Sequence, residues 1–354
     1  MSSAPPSSQV MVRTEGSVGR LTLDRPKAIN ALDLGMIRDL AAALDRWEHD
    51  ADVQIVLLDG AGDRGLCAGG DVRGLYDLIV DGRADQTGEF FRAEYALNAR
   101  IAEYPKPVVV FADGITMGGG IGLAGHAAVR VVTERSKLAM PETRIGFTPD
   151  VGGTWLLAHA PGRLGEYLAL TGATMDAADA IATGFADHMV PSDRLDDLRD
   201  ALVTRADPQT PTELVLLLDE TPEPSRLIAQ RAWIDDAFAA DSVAEIIARL
   251  DARSEPEAHA AAQTLRELSP TGLAVTLAAV RAARDLPNLR AALEQEYGLV
   301  MWFATSRPDL VEGIRAQLVD KDRNPAWQPA SVADLPDGLG AEALAAAPST
   351  PLWS

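Results

Sequence analysis

The sequence predicts an α/β layered fold, because strand patterns and helix patterns alternate along the first half of the chain. "VQIVLLDG" at residues 53–60 and "PVVVFADG" at residues 107–114 are continuous apolar runs that end in turn residues. Such runs are typical of strands buried on both faces. Between them, "EFFRAEYALNARIAEY" is expected to form a helix. Strands that alternate with helices favour layers of sheet and helix around one core.

The N-terminal part contains the first predicted strand and helix. Residues 20–24, "RLTLD", alternate between polar and apolar side chains as a half-buried strand does, and Pro26 then breaks the pattern. From Asp33, a suitable N-cap, apolar residues recur at helical spacing as far as Trp47. After the strand at 107–114 come the glycine stretch "TMGGGIGLAG", the strand-like "AAVRVVTE" and the loop "AMPETRIGFTPDVGGTW". We therefore assign residues 10–205 to the α/β core.

The composition changes after this core. Residues 206–225 include four prolines and are predicted to be a connector. Residues 226–330 show helical patterns and are predicted to form a helical subdomain; in the stripe from Leu289 to Met301, Glu296 is the one residue off the apolar pattern. Residues 331–354 are rich in alanine and proline, and we expect a mobile tail.

Charge and composition exclude several classes of function. The chain of 354 residues has a formal net charge of -20 at pH 7, which argues against a sequence-independent grip on nucleic acid or an anionic membrane. The N-terminal segment lacks a secretory pattern and no run is long enough for a membrane helix, so a cytoplasmic protein is expected. One cysteine, Cys67, and five scattered histidines predict neither a disulfide framework nor a metal site.

"TMGGGIGLAG" admits three interpretations. It contains G-x-G-x-x-G between Gly120 and Gly125, but it does not follow its strand at once, so the match to a dinucleotide loop is weak. Glycines that open a helix leave the backbone N–H groups uncovered, and these can bind an oxyanion or a phosphate. The glycines can also simply permit close helix packing.

A second glycine segment, "LCAGGD" at residues 66–71, also follows a buried strand. Two such turns beside each other are suited to an oxyanion hole, which needs two converging donors. Cys67 within this segment is a possible nucleophile, but its small apolar neighbours favour a buried, inert thiol. The segment "MPETRIGFTPDVGG" then contains Glu142 and Asp150. Two carboxyl groups in an apolar cleft can divide acid and base roles, although both positions also suit helix caps or turns.

Taken in order, "RPKAINAL", "CAGGD", "GITMGGGIGL" and "MPETRIGFTPDVGGTW" resemble the crotonase (enoyl-CoA hydratase/isomerase) superfamily. The resemblance implies a spiral of ββα repeats with a C-terminal helical subdomain, an acyl-CoA thioester as substrate, and assembly as a trimer or hexamer. It also implies that Ala68 and Gly119 are the backbone donors to the thioester oxygen. Residues 10–205 would then be the acyl-CoA-binding catalytic core.

One departure from the family pattern separates its branches. Hydratases carry a glutamate two residues beyond the glycine triplet, where this chain has Gly122. Glu142 matches the other hydratase glutamate, and Asp150 stands where hydratases commonly have glycine. This arrangement resembles the 3-hydroxyisobutyryl-CoA hydrolase branch, as do "FFRAEYALN" with Glu94, "LALTG" and "LVDKDRNPAWQPA".

The resemblance implies a thioester hydrolase of valine breakdown. The catalytic residues would be Glu142 and Asp150, with Glu142 as nucleophile or general base. Asp150 would hydrogen-bond the 3-hydroxyl group, help to position the acyl group or assist departure of the thiolate. Glu94 would contact the acyl end of the substrate. Lys27 and Ala28 would bind coenzyme A, which is part of the substrate, so no separate cofactor is expected. The competing hypotheses are an enoyl-CoA hydratase or isomerase, a non-catalytic acyl-CoA-binding protein and, more remotely, a Rossmann dehydrogenase.

Overall fold

A computed structural model describes residues 8–205 and 211–353. Its main sheet has the order β1-β2-β3-β4-β6-β8, in which β1 and β2 are antiparallel and the other neighbours are parallel. A second sheet pairs β5 with β7 in parallel. The strands are β1 (Val10–Glu15), β2 (Val18–Leu23), β3 (Ile55–Gly60), β4 (Val108–Ala112), β5 (Ile115–Met117), β6 (Val129–Val132), β7 (Lys137–Ala139) and β8 (His188–Met189).

Helices cover both faces of the main sheet. The 3₁₀ helix at Glu142–Ile145 and the π-helix at Arg315–Val319 lie near the site described below. Within the described residues the α-helices are α1 (Leu34–Glu48), α2 (Val72–Val80), α3 (Thr87–Glu103), α4 (Gly119–Ala124), α5 (Gly153–His159), α6 (Leu164–Thr171), α7 (Ala177–Ala182), α8 (Leu195–Arg205), α9 (Pro211–Leu216), α10 (Arg226–Phe238), α11 (Val243–Asp251), α12 (Pro256–Glu267), α13 (Pro270–Ala283), α14 (Leu289–Ser306), α15 (Asp309–Ile314) and α16 (Leu339–Leu344).

The continuous apolar runs of β3 and β4 are explained by burial on both sides. In β3, Val56 and Leu58 point into the large core, whereas Ile55 and Leu57 point into a second core on the opposite face. The expected N-cap of α1 is confirmed, because the Asp33 side chain accepts a hydrogen bond from the backbone N–H of Met36. The two glycine segments follow β3 and β4 in the chain.

The expected connector only partly fits the structure. Residues 206–210 lie outside the described residues. The next residues form α9, and Leu214 and Val215 on this helix are buried in the second core together with leucines of α8. This stretch therefore covers one face of the sheet rather than merely joining two units.

The helical C-terminal part shares the large core with the α/β part. α13 packs against α5 and α6, and α14 packs against α3 and α5. Residues 331–353, which the sequence analysis assigns to a mobile tail, pack on the helical part: α16 lies on α13, and both Leu339 and Leu352 are buried. Small residues make this contact possible: a Cβ atom on Gly340 would lie 2.6 Å from the Cβ of Ala278.

Candidate active site

The two glycine segments lie side by side where β3 and β4 end. The backbone N–H of Cys67 donates to the carbonyl of Ile115 at 3.1 Å, and the N–H of Met117 donates to the carbonyl of Cys67 at 2.9 Å. β4 and β3 are parallel neighbours, so both loops leave the same edge of the sheet. The first turn of α4 therefore meets the "CAGGD" segment, as the pair of motifs predicted.

The backbone N–H groups of Gly70 and Gly119 lie close together here. A Cβ atom on Gly119 would lie 3.2 Å from the backbone nitrogen of Gly70. Within the described chain, no group accepts a hydrogen bond from either of these two N–H groups. Two unused donors so close together provide the arrangement that a developing oxyanion requires.

The N–H group of Ala68, which was the predicted donor, is not free to bind a substrate in this structure. It donates to the backbone carbonyl of Ile29 at 2.9 Å and is therefore already used. Ile29 has a left-handed backbone conformation with φ 48°, at the end of the short 3₁₀ helix Pro26–Ala28. The N-terminal loop thus supports the glycine segment, and the donor role passes to Gly70.

Glu142 and Glu94 each place a carboxyl oxygen beside the glycines where α4 begins. Glu142 Oε1 lies 3.0 Å from where a Cβ of Gly118 would be, and Glu94 Oε1 lies 2.6 Å from where a Cβ of Gly119 would be. Both side chains are buried, and neither Glu94 Oε1 nor Glu142 Oε2 has a hydrogen-bond partner among the described residues. Unpaired buried carboxylate oxygens are costly, so they are poised to bind a substrate or a water molecule.

Asp150 is the third buried carboxyl group of the site. It accepts a hydrogen bond from the Tyr95 hydroxyl at 2.9 Å. Burial raises the pKa of Asp150 to about 7, while the Tyr95 hydrogen bond acts in the opposite direction. Burial, and then the charge of Asp150, also raise the pKa of Glu94 and of Glu142 well above the ordinary range. Like charges in one buried site disfavour the joint ionisation of these three carboxyl groups.

A cavity of about 760 Å³ connects these carboxyl groups with the surface. Its inner end is lined by the carboxyl groups together with Phe91, Phe147 and other apolar side chains. The exposed cations Lys27, Arg73 and Lys321 also line the cavity and therefore lie at its mouth. An apolar inner end with few polar groups and a cationic mouth suits a short acyl group attached to a long anionic carrier.

The predicted Lys27 and Ala28 both line this cavity on the 3₁₀ helix Pro26–Ala28. The Arg64 guanidinium donates to the carbonyls of Pro26 and Lys27, each at 2.7 Å, and so supports the loop. Lys321 comes from the C-terminal part of the chain and was not predicted as a site residue. Lys321 lies in the segment "LVDKDRNPAWQPA", which contributes to the family resemblance, but the resemblance assigned no role to any single residue of this segment.

Cys67 does not have the environment of a nucleophile. Its side chain is buried, and burial raises the pKa of the thiol to about 12. The thiol therefore stays protonated at neutral pH and is poorly nucleophilic. Among the described residues, no group of three or more His, Cys, Asp or Glu side chains is arranged to hold a metal ion.

The glycines of α4 serve both donor presentation and close packing. A Cβ on Gly120 would lie 2.5 Å from the Cys67 carbonyl oxygen, and one on Gly122 would lie 2.7 Å from both Asn98 Nδ2 and Val151 Cβ. Real Cβ atoms do not come this close to their neighbours. The space that a side chain at position 122 would need is thus already filled.

Comparison with known proteins agrees with this geometry. The family profile described as enoyl-CoA hydratase/isomerase matches residues 18–343. The chain belongs to the enoyl-CoA hydratase/isomerase family. The mitochondrial 3-hydroxyisobutyryl-CoA hydrolase of Danio rerio is 39% identical over 95% of this chain and 89% of its own length. The 3-hydroxyisobutyryl-CoA hydrolase 1 of Arabidopsis thaliana is 40% identical over 94% of this chain and 90% of its own length.

Solved structures of the enoyl-CoA hydratase/isomerase family confirm the predicted crotonase fold. A carnitinyl-CoA dehydratase from Mycobacterium thermoresistibile is 47% identical, with a TM-score of 0.92 and 98% of both chains covered. An enoyl-CoA hydratase from Rhodobacter sphaeroides is 42% identical, with a TM-score of 0.91, covering 98% of this chain and 99% of that chain. The names of these relatives span two reaction types, so the site residues must decide between them.

Besides Lys321, three residues that shape the site were not predicted from the sequence. Gly70 was part of a quoted motif but was not selected as a donor. Tyr95 holds Asp150, and Glu296 binds the backbone just after Asp150. Glu296 could have been noticed in the sequence, since it interrupts the apolar stripe of α14.

No helix within the described ranges is both long and apolar enough to cross a membrane.

Proposed function

We propose that this chain hydrolyses the thioester of a short 3-hydroxyacyl-CoA, with 3-hydroxyisobutyryl-CoA as its substrate. One observation carries the proposal: Glu142 lines the same cavity as the unused backbone donors of Gly70 and Gly119, while the position of the second hydratase acid, Gly122, is closed by Asn98 and Val151. The site can therefore stabilise a tetrahedral oxyanion, but it lacks the paired glutamates that add water across a double bond. The names of the relatives from Danio rerio and Arabidopsis thaliana support the same substrate and a place in valine breakdown.

The reaction begins at the thioester carbonyl. Its oxygen accepts hydrogen bonds from the N–H groups of Gly70 and Gly119, which stabilise the negative charge as the carbon becomes tetrahedral. Glu142 then acts in one of two ways. It attacks the carbon and forms a mixed anhydride that water cleaves, or it removes a proton from a water molecule that attacks directly. In both routes the C–S bond breaks, the coenzyme A thiolate takes up a proton, and the carboxylic acid is released.

Asp150 and Glu94 are proposed to recognise the acyl end of the substrate. Asp150 reaches the cavity with one oxygen bound to Tyr95, which leaves the other free to accept a hydrogen bond from a 3-hydroxyl group. Glu94 Oε1 has no partner in the described structure and faces Gly119, next to the oxyanion position. A site built to bind a hydroxyl group strongly disfavours an analogue that lacks it.

Lys27 and Lys321 are proposed to meet the coenzyme A phosphates at the cavity mouth, with Ala28 beside them. Both lysines are exposed and can approach phosphates despite the acidic balance of the whole chain, because local charges decide the local field. No cofactor beyond the coenzyme A of the substrate takes part in this proposal. Assembly as a trimer or hexamer remains an expectation from the family.

Thiol release tests this function. Wild-type protein should release coenzyme A from 3-hydroxyisobutyryl-CoA, and Glu142→Gln should lower kcat by about 10²–10⁴-fold because the ionisable group is lost. Glu89→Gln is a matched control on α3, since the Glu89 side chain is 61% exposed. Equal turnover by the Glu142 and Glu89 variants would contradict the role of Glu142. Single-turnover hydrolysis in heavy-oxygen water then separates the two routes, because label in the Glu142 peptide requires the anhydride.

Hydration of an enoyl-CoA is the second candidate function, favoured by the names of the two solved structures. Loss of enoyl absorbance from crotonyl-CoA measures it directly. If the protein hydrates crotonyl-CoA but releases no thiol from 3-hydroxyisobutyryl-CoA, its function is hydration and the proposed hydrolysis is wrong. Tight binding of acyl-CoA with neither reaction would instead indicate a binding protein.

A further inference from the structure

Glu296 is a buried residue of α14 whose carboxyl group reaches the active-site loop. It is 0% exposed. Its Oε2 accepts a hydrogen bond from the backbone N–H of Gly152 at 2.6 Å. Its Oε1 accepts from the N–H of Thr154 at 2.8 Å and from the Thr154 hydroxyl at 2.5 Å. Glu296 does not belong to the lining of the cavity.

The backbone that Glu296 binds is strained. Val151 has φ 54° and Gly152 has φ 79°, both in the left-handed region. For a β-branched residue such as valine this conformation is a genuine outlier. It persists only where the surroundings determine it, and such strain clusters at functional sites. Asp150 immediately precedes this turn, so the direction of its side chain depends on the turn.

The half-buried side chain of His126 also contacts this turn. The Nε2 atom of His126, just beyond α4, lies 2.8 Å from the Val151 carbonyl oxygen. Because a carbonyl oxygen only accepts, Nε2 must be the donor. The turn is therefore held by His126, which follows α4, and by Glu296. Tyr95 on α3 donates a hydrogen bond to the Asp150 carboxyl group itself. Removal of Glu296 would leave the N–H groups of Gly152 and Thr154 buried without partners.

We propose that Glu296 is a positioning residue that maintains the strained Val151–Gly152 turn and thereby directs Asp150 at the 3-hydroxyl group of the substrate. The role of Asp150 in this inference rests on the proposed function. The contact between Glu296 and the turn does not. The C-terminal helices thus complete the active site as well as the hydrophobic core.

Glu296→Gln tests the inference, because glutamine keeps the volume but turns an NH₂ group towards a backbone N–H. We expect kcat to fall by about 10–100-fold, the scale of a misplaced catalytic group, with KM for the thioester unchanged. We also expect the preference for 3-hydroxyisobutyryl-CoA over isobutyryl-CoA to fall, which a merely structural role would not cause. Glu294→Gln is the matched control, since Glu294 is an exposed residue of the same helix.

A double variant decides between positioning and an independent effect. If Glu296 acts through Asp150, Glu296→Gln combined with Asp150→Asn should be no slower than Asp150→Asn alone. Multiplied losses, or a Glu296→Gln variant with wild-type kcat and preference, would overturn the inference. If Glu296→Gln does not fold, Thr154→Val removes one of the three donors and should cause a smaller loss of the same kind; an unchanged preference would count against the inference.

Hydrogen exchange separates a failure of this inference from a failure of the proposed function. If wild-type protein does not cleave the thioester, the proposed function is wrong whatever Glu296 does. The amides of Gly152 and Thr154 should still exchange faster in Glu296→Gln than in wild type, because their acceptor is impaired. Equal protection of both amides in the two proteins would show that Glu296 does not maintain the turn.

Discussion

Replacing Asp150 with asparagine tests the charge balance of the site independently of turnover. Asp150 is buried and accepts a hydrogen bond from the Tyr95 hydroxyl. Burial raises the pKa of its carboxyl group from an ordinary 3.8 to about 7. Asparagine keeps an acceptor oxygen for Tyr95 but carries no charge at any pH. The substitution therefore removes the titration of this side chain and preserves its shape.

The size of the effect follows from the two pKa values. Between 3.8 and about 7 the folded chain keeps a proton that the unfolded chain has released. The free energy of unfolding therefore falls as pH rises through this window. For Asp150 alone, the free energy of unfolding of the wild type falls by about 2–3 kcal/mol between about pH 5 and about pH 8. In Asp150→Asn this decrease is absent, because asparagine does not titrate. Relief of the repulsion on Glu94 and Glu142 acts in the same direction.

Urea unfolding at the two pH values measures this difference. Asp150→Asn should become more stable relative to wild type by about 2–3 kcal/mol on going from the lower to the higher pH. Asp285→Asn serves as a control, because Asp285 is exposed and its replacement should shift stability by a similar small amount at both pH values. A difference between Asp150→Asn and wild type that does not change with pH would refute a raised pKa for Asp150.

Three further predictions concern packing, substrate binding and the tail. Gly122→Ala should lower the free energy of unfolding by about 1–3 kcal/mol in urea, because its Cβ would collide with Asn98 and Val151; unchanged stability would mean that these neighbours can move. Lys321→Ala should raise KM for the acyl-CoA, most at low salt, with kcat unchanged; a KM equal to that of wild type at low ionic strength would remove Lys321 from the phosphate site. Deletion of residues 331–353 should lower the Tm, since each of its two buried leucines contributes about 1.5–3 kcal/mol; an unchanged Tm would show that the tail adds no stability.

Much of the α/β part could be predicted because its strands and helices have strong periodic patterns. β3 and β4 are apolar on both faces, so their patterns stand out without any alignment. α1 has both an apolar stripe and a side-chain cap at Asp33. β5 and β7 were missed because each is only three residues long and β5 lies within the loop that leads to the glycine stretch. Such short strands depend on their partner rather than on local preference.

The C-terminal tail shows a different limit. Alanine-rich segments have little amphipathic contrast, so residues 331–354 were expected to be mobile. In the structure, the small size of these residues is what stabilises the contact, because Gly340 on α16 approaches Ala278 on α13 closely. Packing by shape leaves almost no trace in a hydropathy pattern.

The donor at the oxyanion site shows why motif position alone was insufficient. The sequence indicated that two glycine segments meet, but not which N–H groups remain unused. The Ala68 N–H is bound by the carbonyl of Ile29, a residue much earlier in the chain, and Gly70 is left free to donate. Which N–H groups already have an acceptor can be determined only from the folded backbone, since each N–H donates one good hydrogen bond.

The absence of a glutamate at position 122 is linked to the packing of the residues around it. Asn98 and Val151 occupy the volume that a side chain there would need, and Val151 belongs to the strained turn that directs Asp150. A further buried carboxylate would also add to the repulsion that already raises the pKa of Glu142. Gly122→Glu alone therefore cannot convert the site to a hydratase. Asn98 and Val151 would have to become smaller at the same time, and the turn that positions Asp150 would change with them.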